Sequence, residues 1–535
     1  MAISTRLRVI GLAVLMRWTV CLSLALASSL LTAVDYDLVV RHGQVIDGTG
    51  RPAFAADVAI KDGRIVGVGR IDGTSRHEID AAGQVVAPGF IDVHTHSEDI
   101  AELPVAENFL RMGVTTIITG NCGSSKLDVA AFFAELERTK VAVNVGTLIG
   151  HGTVRLAVLG SSIARPPSAA ELERMRALVD QAMLDGAVGM STGLIYLPGV
   201  FAKTEEIVEL AKVVAKHGGI YASHMRYENS RISEALAEIT QVAREAHVPI
   251  EVSHLKLAGP SAWGRADEIL AYLDRARADG LTITHDQYVY TASSTSLGSR
   301  IPEDAREGGP DKFRARLADP VAKAKMIAAM KASLQRSNYA DFDFAVIANF
   351  VPDPSLNGLS VPAAALRLRG KATLDDQIET ILDLESRGGA DAVFHGMDEA
   401  DLKKFLAHPL TMVASDSAPR KFGDAVPHPR GYGNNARVLA RYVRESKLLS
   451  LEEAVRKMTS LPAHTFGLAG RGSLIPGNQA DLVIFDAAVV SDQSSYSDPH
   501  HYATGFSAVL VNGVPVILQG QLTGERPGAI VRRGP

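Results

Sequence analysis

The stretch Val85-Val86-Ala87-Pro88-Gly89-Phe90-Ile91-Asp92-Val93-His94-Thr95-His96 decides how this chain is read. It starts as a β-branched apolar run and ends in two histidines two positions apart. Residues i and i+2 of a strand share a face. A strand over Val85–Val93 therefore projects His94 and His96 together from its C-terminal end, side by side as a metal site requires. One His-x-His pair is weak evidence alone. Its value depends on matching ligands elsewhere in the chain.

Beyond Pro88, strand and helix patterns alternate with a period of about 30 residues, the length of one βα unit. Strands are expected at Val114–Thr119, Ala142–Ile149, Ala187–Thr192, Gly219–Ser223, Pro249–Ser253, Leu281–His285 and Thr411–Ala414. The helices between them include one opened by the capping box Ser168-x-x-Glu171. Such alternation means a parallel sheet, and an open doubly wound sheet would also satisfy it. Eight strand candidates favour a closed, TIM-like (β/α)8 barrel. The expected fold class is thus α/β. The barrel spans residues 87–469, and a small β-sandwich domain is built from both chain ends, residues 34–86 and 470–535. A stretch at about 298–389 breaks the rhythm and reads as an insertion over the barrel mouth.

In a barrel the C-terminal strand ends converge on one face. There the sequence places His94, His96, Cys122, His224, His254 and Asp416. Singly, Cys122 reads as an inert buried thiol and Asp416 as a helix cap. Together on one face they read as a metal centre. Imidazole and thiolate suit zinc, whereas magnesium or calcium would want oxygens.

Bulk properties set the outer bounds. A chain of 535 residues exceeds the ~250–300 at which a single core stops growing. Hydrophobic residues make up 46% and charged residues 21%, with a net charge of −5 and both signs interspersed. This composition carries no basic patch for nucleic acid and no acidic tail. Cys21 and Cys122 are the two cysteines, so there is no disulfide framework. Residues 1–33 carry Arg6 and Arg8, apolar runs and small residues at Ala27 and Ala33, the pattern of a secretory signal peptide. That pattern implies a periplasmic or secreted protein; a mis-assigned start would leave it cytoplasmic.

The finer motifs are Pro88–His96, Gly120-Asn121-Cys122-Gly123, Ser191-Thr192-Gly193-Leu194 with Tyr196, Ser223-His224-Met225-Arg226, Ser253-His254-Leu255-Lys256, and Asp416. Over residues 35–535 the chain resembles the N-acyl-D-amino-acid deacylases, or D-aminoacylases, of the amidohydrolase superfamily. In that family a cysteine replaces the carboxylated lysine that bridges two metals in many relatives. The absence of lysine from Met190-Ser191-Thr192 fits the cysteine version. The resemblance implies one tight zinc from Cys122, His224 and His254, and a second, weak position near His94 and His96. It implies hydrolysis of a small N-acyl-D-amino acid to the amino acid and a carboxylate. Zinc lowers the pKa of a bound water from 15.7 toward ~7. Asp416 would take the water proton as general base and deliver it to the leaving amine.

The same resemblance suggests Lys256, Tyr290 and Tyr196 near the substrate, with Lys256 on the side of His254. His151, in Gly150-His151-Gly152, would line the pocket or donate to the carbonyl. Arg300 would pair with an acidic substrate side chain or stand solvated. Three alternatives remain at this point: a cyclic amidase of dihydroorotase or hydantoinase type, a dipeptidase for D-residues or isoaspartyl bonds, and a non-catalytic binding scaffold. Chirality is not encoded in residue spacing and comes from the resemblance alone.

Overall fold

The computed structural model describes residues 35–161 and 163–534; the leader lies outside them. Eight parallel strands surround a barrel axis: β1 Phe90–Asp92, β2 Val114–Thr119, β3 Asn144–Thr147 continued by Ile149–Gly150, β4 Gly189–Gly193, β5 Ile220–His224, β6 Ile250–Val252, β7 Ile283–Gln287 and β8 Thr411–Val413. The ring closes between β8 and β1. Asp416 N–H donates to His94 O at 2.9 Å, and His96 N–H donates to Ser417 O at 2.7 Å. Ile91, Val93, Ile118, Leu148, Val188, Ile220, Ala222, Met412 and Ala414 belong to one buried apolar cluster, as a filled barrel core requires. Helices cover the outside. Ala169–Asp185 is opened by the Ser168/Glu171 capping box and buries Met175, Val179, Ala182 and Met183.

The C-terminal tail has a part in the barrel that the sequence does not announce. Val145 N–H donates to Ala529 O and Val531 N–H donates to Val145 O, both at 2.9 Å. Val531 joins the barrel's inner cluster. The tail thus fills the seam between the lower half of β3 and its neighbour.

The opening stretch is two strands, not one. Val85–Pro88 lies in a nine-stranded sheet with both chain ends, antiparallel to Leu482–Phe485 and parallel to Gln44–Val45. Phe90–Asp92 enters the barrel beside β2. The break has a local cause. Pro88 supplies no N–H, and a β-carbon on Gly89 would overlap the Thr115 side chain. The chain can pass from one sheet to the other only where that atom is missing. His94 and His96 therefore follow the end of a three-residue strand.

The insertion extends beyond 298–389 at both ends. It starts with the strand Ala292–Ser296 and ends with Asp391–His395, which pair antiparallel; Ala345–Asn349 completes the sheet. Its own core includes Leu297, Phe313, Met330, Phe350, Ile381 and Phe394. The strand Ala292–Ser296 reads as a loop because four of its five residues are Ser or Thr.

Gly89→Ala should destabilise the fold by about 1–3 kcal/mol through overpacking. Urea unfolding checks this, and Thr115→Ala in the same chain should recover part of the loss.

Candidate metal centre

Cys122 is the hub of the site. Its Sγ lies 3.4 Å from His94 Nε2, 3.7 Å from His224 Nδ1 and 3.7 Å from His254 Nε2. A tetrahedral zinc with Zn–S of about 2.3 Å and Zn–N of about 2.0–2.1 Å needs sulfur and nitrogen roughly 3.5 Å apart. The donor set fits zinc in both chemistry and spacing. Burial alone would raise the Cys122 thiol. The charge of His94 and hydrogen bonds with His224, His254 and His94 instead hold it well below the usual thiol range. That favours thiolate, the ligating form.

Three residue groups hold donor atoms within 4.8 Å of one another: His94, Cys122 and His254; His94, His96 and Asp416; and His224, Glu228 and His254. His94 belongs to the first two. The division expected from the resemblance, with Cys122, His224 and His254 apart from the His94/His96 pair, is not drawn by this geometry. His94 faces the thiol as closely as any imidazole does.

Backbone conformation brings these groups in. Cys122, His254 and Asp416 take positive φ values of 52°, 38° and 52°. The left-handed region costs a non-glycine residue on the order of 1–2 kcal/mol. Fixed hydrogen bonds over-determine it. His254 N–H donates to Asp286 Oδ1 at 3.0 Å, and Asp416 N–H donates to His94 O. Asp92 accepts from His94 N–H at 3.2 Å and from Ser415 N–H at 3.1 Å, tying the two strand ends together. Burial pushes the Asp92 carboxyl up to about 7.

Behind the histidines stand carboxylates that the sequence reading missed. His94 Nδ1 is 3.1 Å from Asp286 Oδ2. His254 Nδ1 is 3.0 Å from Glu228 Oε1, which also accepts from Lys256 Nζ at 2.5 Å. A histidine that offers one nitrogen to a metal keeps its proton on the other, where such a carboxylate fixes ring and tautomer. His224 Nε2 has no hydrogen-bond partner and lies 3.7 Å from Glu228 Oε2. Asp286 was findable, because it stands at a strand end like the residues that were found. Glu228 lies four residues past His224, where a loop must bring it back.

Asp416 sits opposite. Its Oδ1 is 3.2 Å from His96 Nε2 and 3.6 Å from His94 Nε2, and its Oδ2 is 2.7 Å from Arg430. Burial would raise this carboxyl, but the Arg430 guanidinium, then His94 and His96, hold it well below the usual range. Arg430 was also missed; it arrives from beyond the insertion in His428-Pro429-Arg430.

The centre opens into a cleft of about 1080 Å³ between the barrel mouth and the insertion. Lys256, Tyr196 and Arg300 line it. The Tyr196 ring lies 4.9 Å from that of His224, and its hydroxyl accepts from Thr295 at 3.1 Å. Two expected residues stand elsewhere. The His151 ring is fully buried and turned to Glu206, at 2.8 Å, away from the cleft. Tyr290 is buried against His428, Tyr496 and the Arg437 guanidinium. Tyr288, two residues earlier, lines the cleft instead, with Arg430 over its ring at 4.6 Å.

The model of the amidohydrolase family matches residues 77–338 and 357–517. An N-acyl-D-glutamate deacylase of Alcaligenes xylosoxydans xylosoxydans is 36% identical over 521 residues, covering 93% of this chain and 96% of that protein. A D-aminoacylase of the same organism is 35% identical over 523 residues, covering 93% and 98%. The crystal structure of N-acyl-D-glutamate deacylase from Bordetella bronchiseptica, complexed with zinc and a phosphonate that mimics the tetrahedral intermediate, superposes with a TM-score of 0.79. It is 34% identical, over 93% of this chain and 99% of that one.

Glu228→Gln should weaken zinc binding by about 10–100-fold without unfolding the chain. Competition with a chromogenic chelator checks this; unchanged affinity would show that Glu228 does not orient the ligands.

Proposed function

Because this chain belongs to the amidohydrolase family, we propose that it is a zinc-dependent deacylase that cleaves N-acyl-D-amino acids to a D-amino acid and a carboxylate. The observation that carries this reading is one buried thiol facing the imidazoles of His94, His224 and His254, with an anionic Asp416 against His94 and His96. Zinc held there supplies a Lewis acid for the amide carbonyl and a water acidified toward neutrality.

The chain's own residues do the rest. Arg430 keeps Asp416 ionised, so this carboxylate is ready to accept a proton from the attacking water. Once protonated, Asp416 is the acid beside the departing amine and returns the proton to nitrogen. Lys256 presents a buried cation to the cleft beside His254, suited to the substrate carboxylate, and Glu228 holds it in place. Residues of the insertion, among them Ser299, Arg300 and Phe344, wall the cleft into which the centre opens.

Support for the D configuration comes from the relatives named for D-substrates. The soft thiolate supports one tight zinc at Cys122. His96, whose side chain is 36% exposed, and Asp416 support a second, weaker position.

The zinc-loaded protein should hydrolyse N-acetyl-D-amino acids and leave the L-series largely intact. Chelation should abolish the activity and zinc restore it. Asp416→Asn should lower kcat by about 10²–10⁴-fold while the tight zinc at Cys122 is retained. Equal turnover of both enantiomers would contradict the reading.

A further inference from the structure

The chain between Asp416 and Arg430 must bring two side chains together without regular structure of its own. Residues 418–429 form neither helix nor strand, and residues 421–424 at the tip are exposed. Yet Asp416 Oδ2 and Arg430 Nη1 meet at 2.7 Å beside the metal centre. That contact does not hold itself in place. Nη1 is buried without a partner in hydrogen-bond geometry, and Nη2 reaches Ser294 O only at 3.3 Å. The position of the pair is set by whatever fixes the two ends of the loop.

One side chain does so. Asn108 is fully buried on the short helix Glu107–Leu110. Its Nδ2 donates to Ala418 O at 3.1 Å and to Gly431 O at 2.9 Å, and its Oδ1 accepts from Arg420 N–H at 3.0 Å. Two carbonyls and one N–H leave the amide a single orientation that satisfies all three. Ala418 stands two residues after Asp416, and Gly431 one residue after Arg430. A single amide therefore closes the base of the loop, as the neighbouring ends of an Ω-loop require.

The helix that carries Asn108 is tied to the small β domain. Arg111, at its end, donates to Gly520 O at 2.6 Å and lies over the Tyr502 ring at 5.4 Å. Gly520 joins two strands of the nine-stranded sheet. The loop tip is held partly from the same domain. His500 Nε2 donates to Ala425 O at 3.0 Å, and its Nδ1 accepts from Gly423 N–H at 3.1 Å. Val426 N–H donates to Ala348 O of the insertion at 2.9 Å.

Resting on the deacylase reading, we infer that Asn108 is a positioning residue of the reaction: anchored to the small β domain, it clasps both ends of the 418–431 loop and so holds Arg430 against Asp416. Asn108 does not line the cleft and acts only through that pair. Without its amide, two buried carbonyls and an N–H lose their partner. The loop base is then free to drift, and a displacement of about 1 Å near a reacting group lowers the rate on the order of 10²-fold.

Two measurements test this on the zinc-loaded full chain. In the first, kcat is compared for the parent, Asn108→Ala, Asp416→Asn and the double variant, on the N-acetyl-D-amino acid that the parent cleaves fastest. Asn108→Ala should lower kcat by about 10–100-fold in the parent and by less than about twofold where Asp416 is already replaced. The tight zinc at Cys122 should be retained in all four. A residue that only supports the fold would lower kcat by the same factor in both backgrounds, and that result would overturn the inference. The second measurement needs no turnover. Amide hydrogen exchange of peptides covering residues 418–431 should be about tenfold faster in Asn108→Ala, with the barrel strands unchanged; an unchanged loop overturns the clasp. Asn108→Asp keeps the size and the acceptor for Arg420 N–H but turns an oxygen on one or both carbonyls. It is read in the same way should Asn108→Ala not fold. If the loop loosens as expected but the parent cleaves no N-acyl-D-amino acid, the deacylase reading has failed and the clasp stands. If the parent is active and Asn108→Ala matches its kcat, the reading stands and the inference has failed.

Discussion

One thiolate must face several imidazoles at zinc-ligand spacing inside a closed barrel, and the rest of the structure depends on that constraint. The 3.4–3.7 Å separations around Cys122 are reached by strands that end on the same face. They are also reached because Cys122, His254 and Asp416 turn through left-handed backbone just past those strands. Such conformations persist only where surrounding contacts over-determine them. Here Asp286, Asp92 and the β8–β1 closure do so. The centre therefore rests on a framework of buried carboxylates as much as on its ligands.

That framework explains the division of labour among the acids. Asp286 and Glu228 back the histidines, Asp92 fastens two strand ends, and Asp416 faces His94 and His96 from the cleft side. Arg430 decides the character of Asp416, because its guanidinium stabilises the ionised form. Without Arg430 and the neighbouring His94 and His96 together, burial would push the carboxyl toward the protonated acid, which cannot begin as a base.

Much of the fold was legible because periodicity is a backbone property. Alternating strands and helices, with histidines recurring about one βα unit apart, can be read without knowing any contact. The ligand residues were legible for the same reason, since they stand at strand ends. What escaped is what depends on long-range packing. The Gly89 crossing shows only when Thr115 is seen against it. Glu228 and Arg430 come from loops whose return path no period encodes. Tyr288 and Tyr290 differ by two positions, and only the surroundings decide that the first lines the cleft while the second packs against Arg437 and Tyr496. His151 looked like a pocket residue on sequence, yet Glu206 and Arg155 give it a buried partner set of its own.

The donor geometry calls for a sulfur-containing zinc centre at the barrel mouth. X-ray absorption spectroscopy of the protein loaded with one equivalent of zinc measures it directly. One sulfur at about 2.3 Å with nitrogen or oxygen ligands at about 2.0–2.1 Å is expected, with loss of the sulfur scatterer in Cys122→Ser. A shell of nitrogen and oxygen only, unchanged by that substitution, would contradict it.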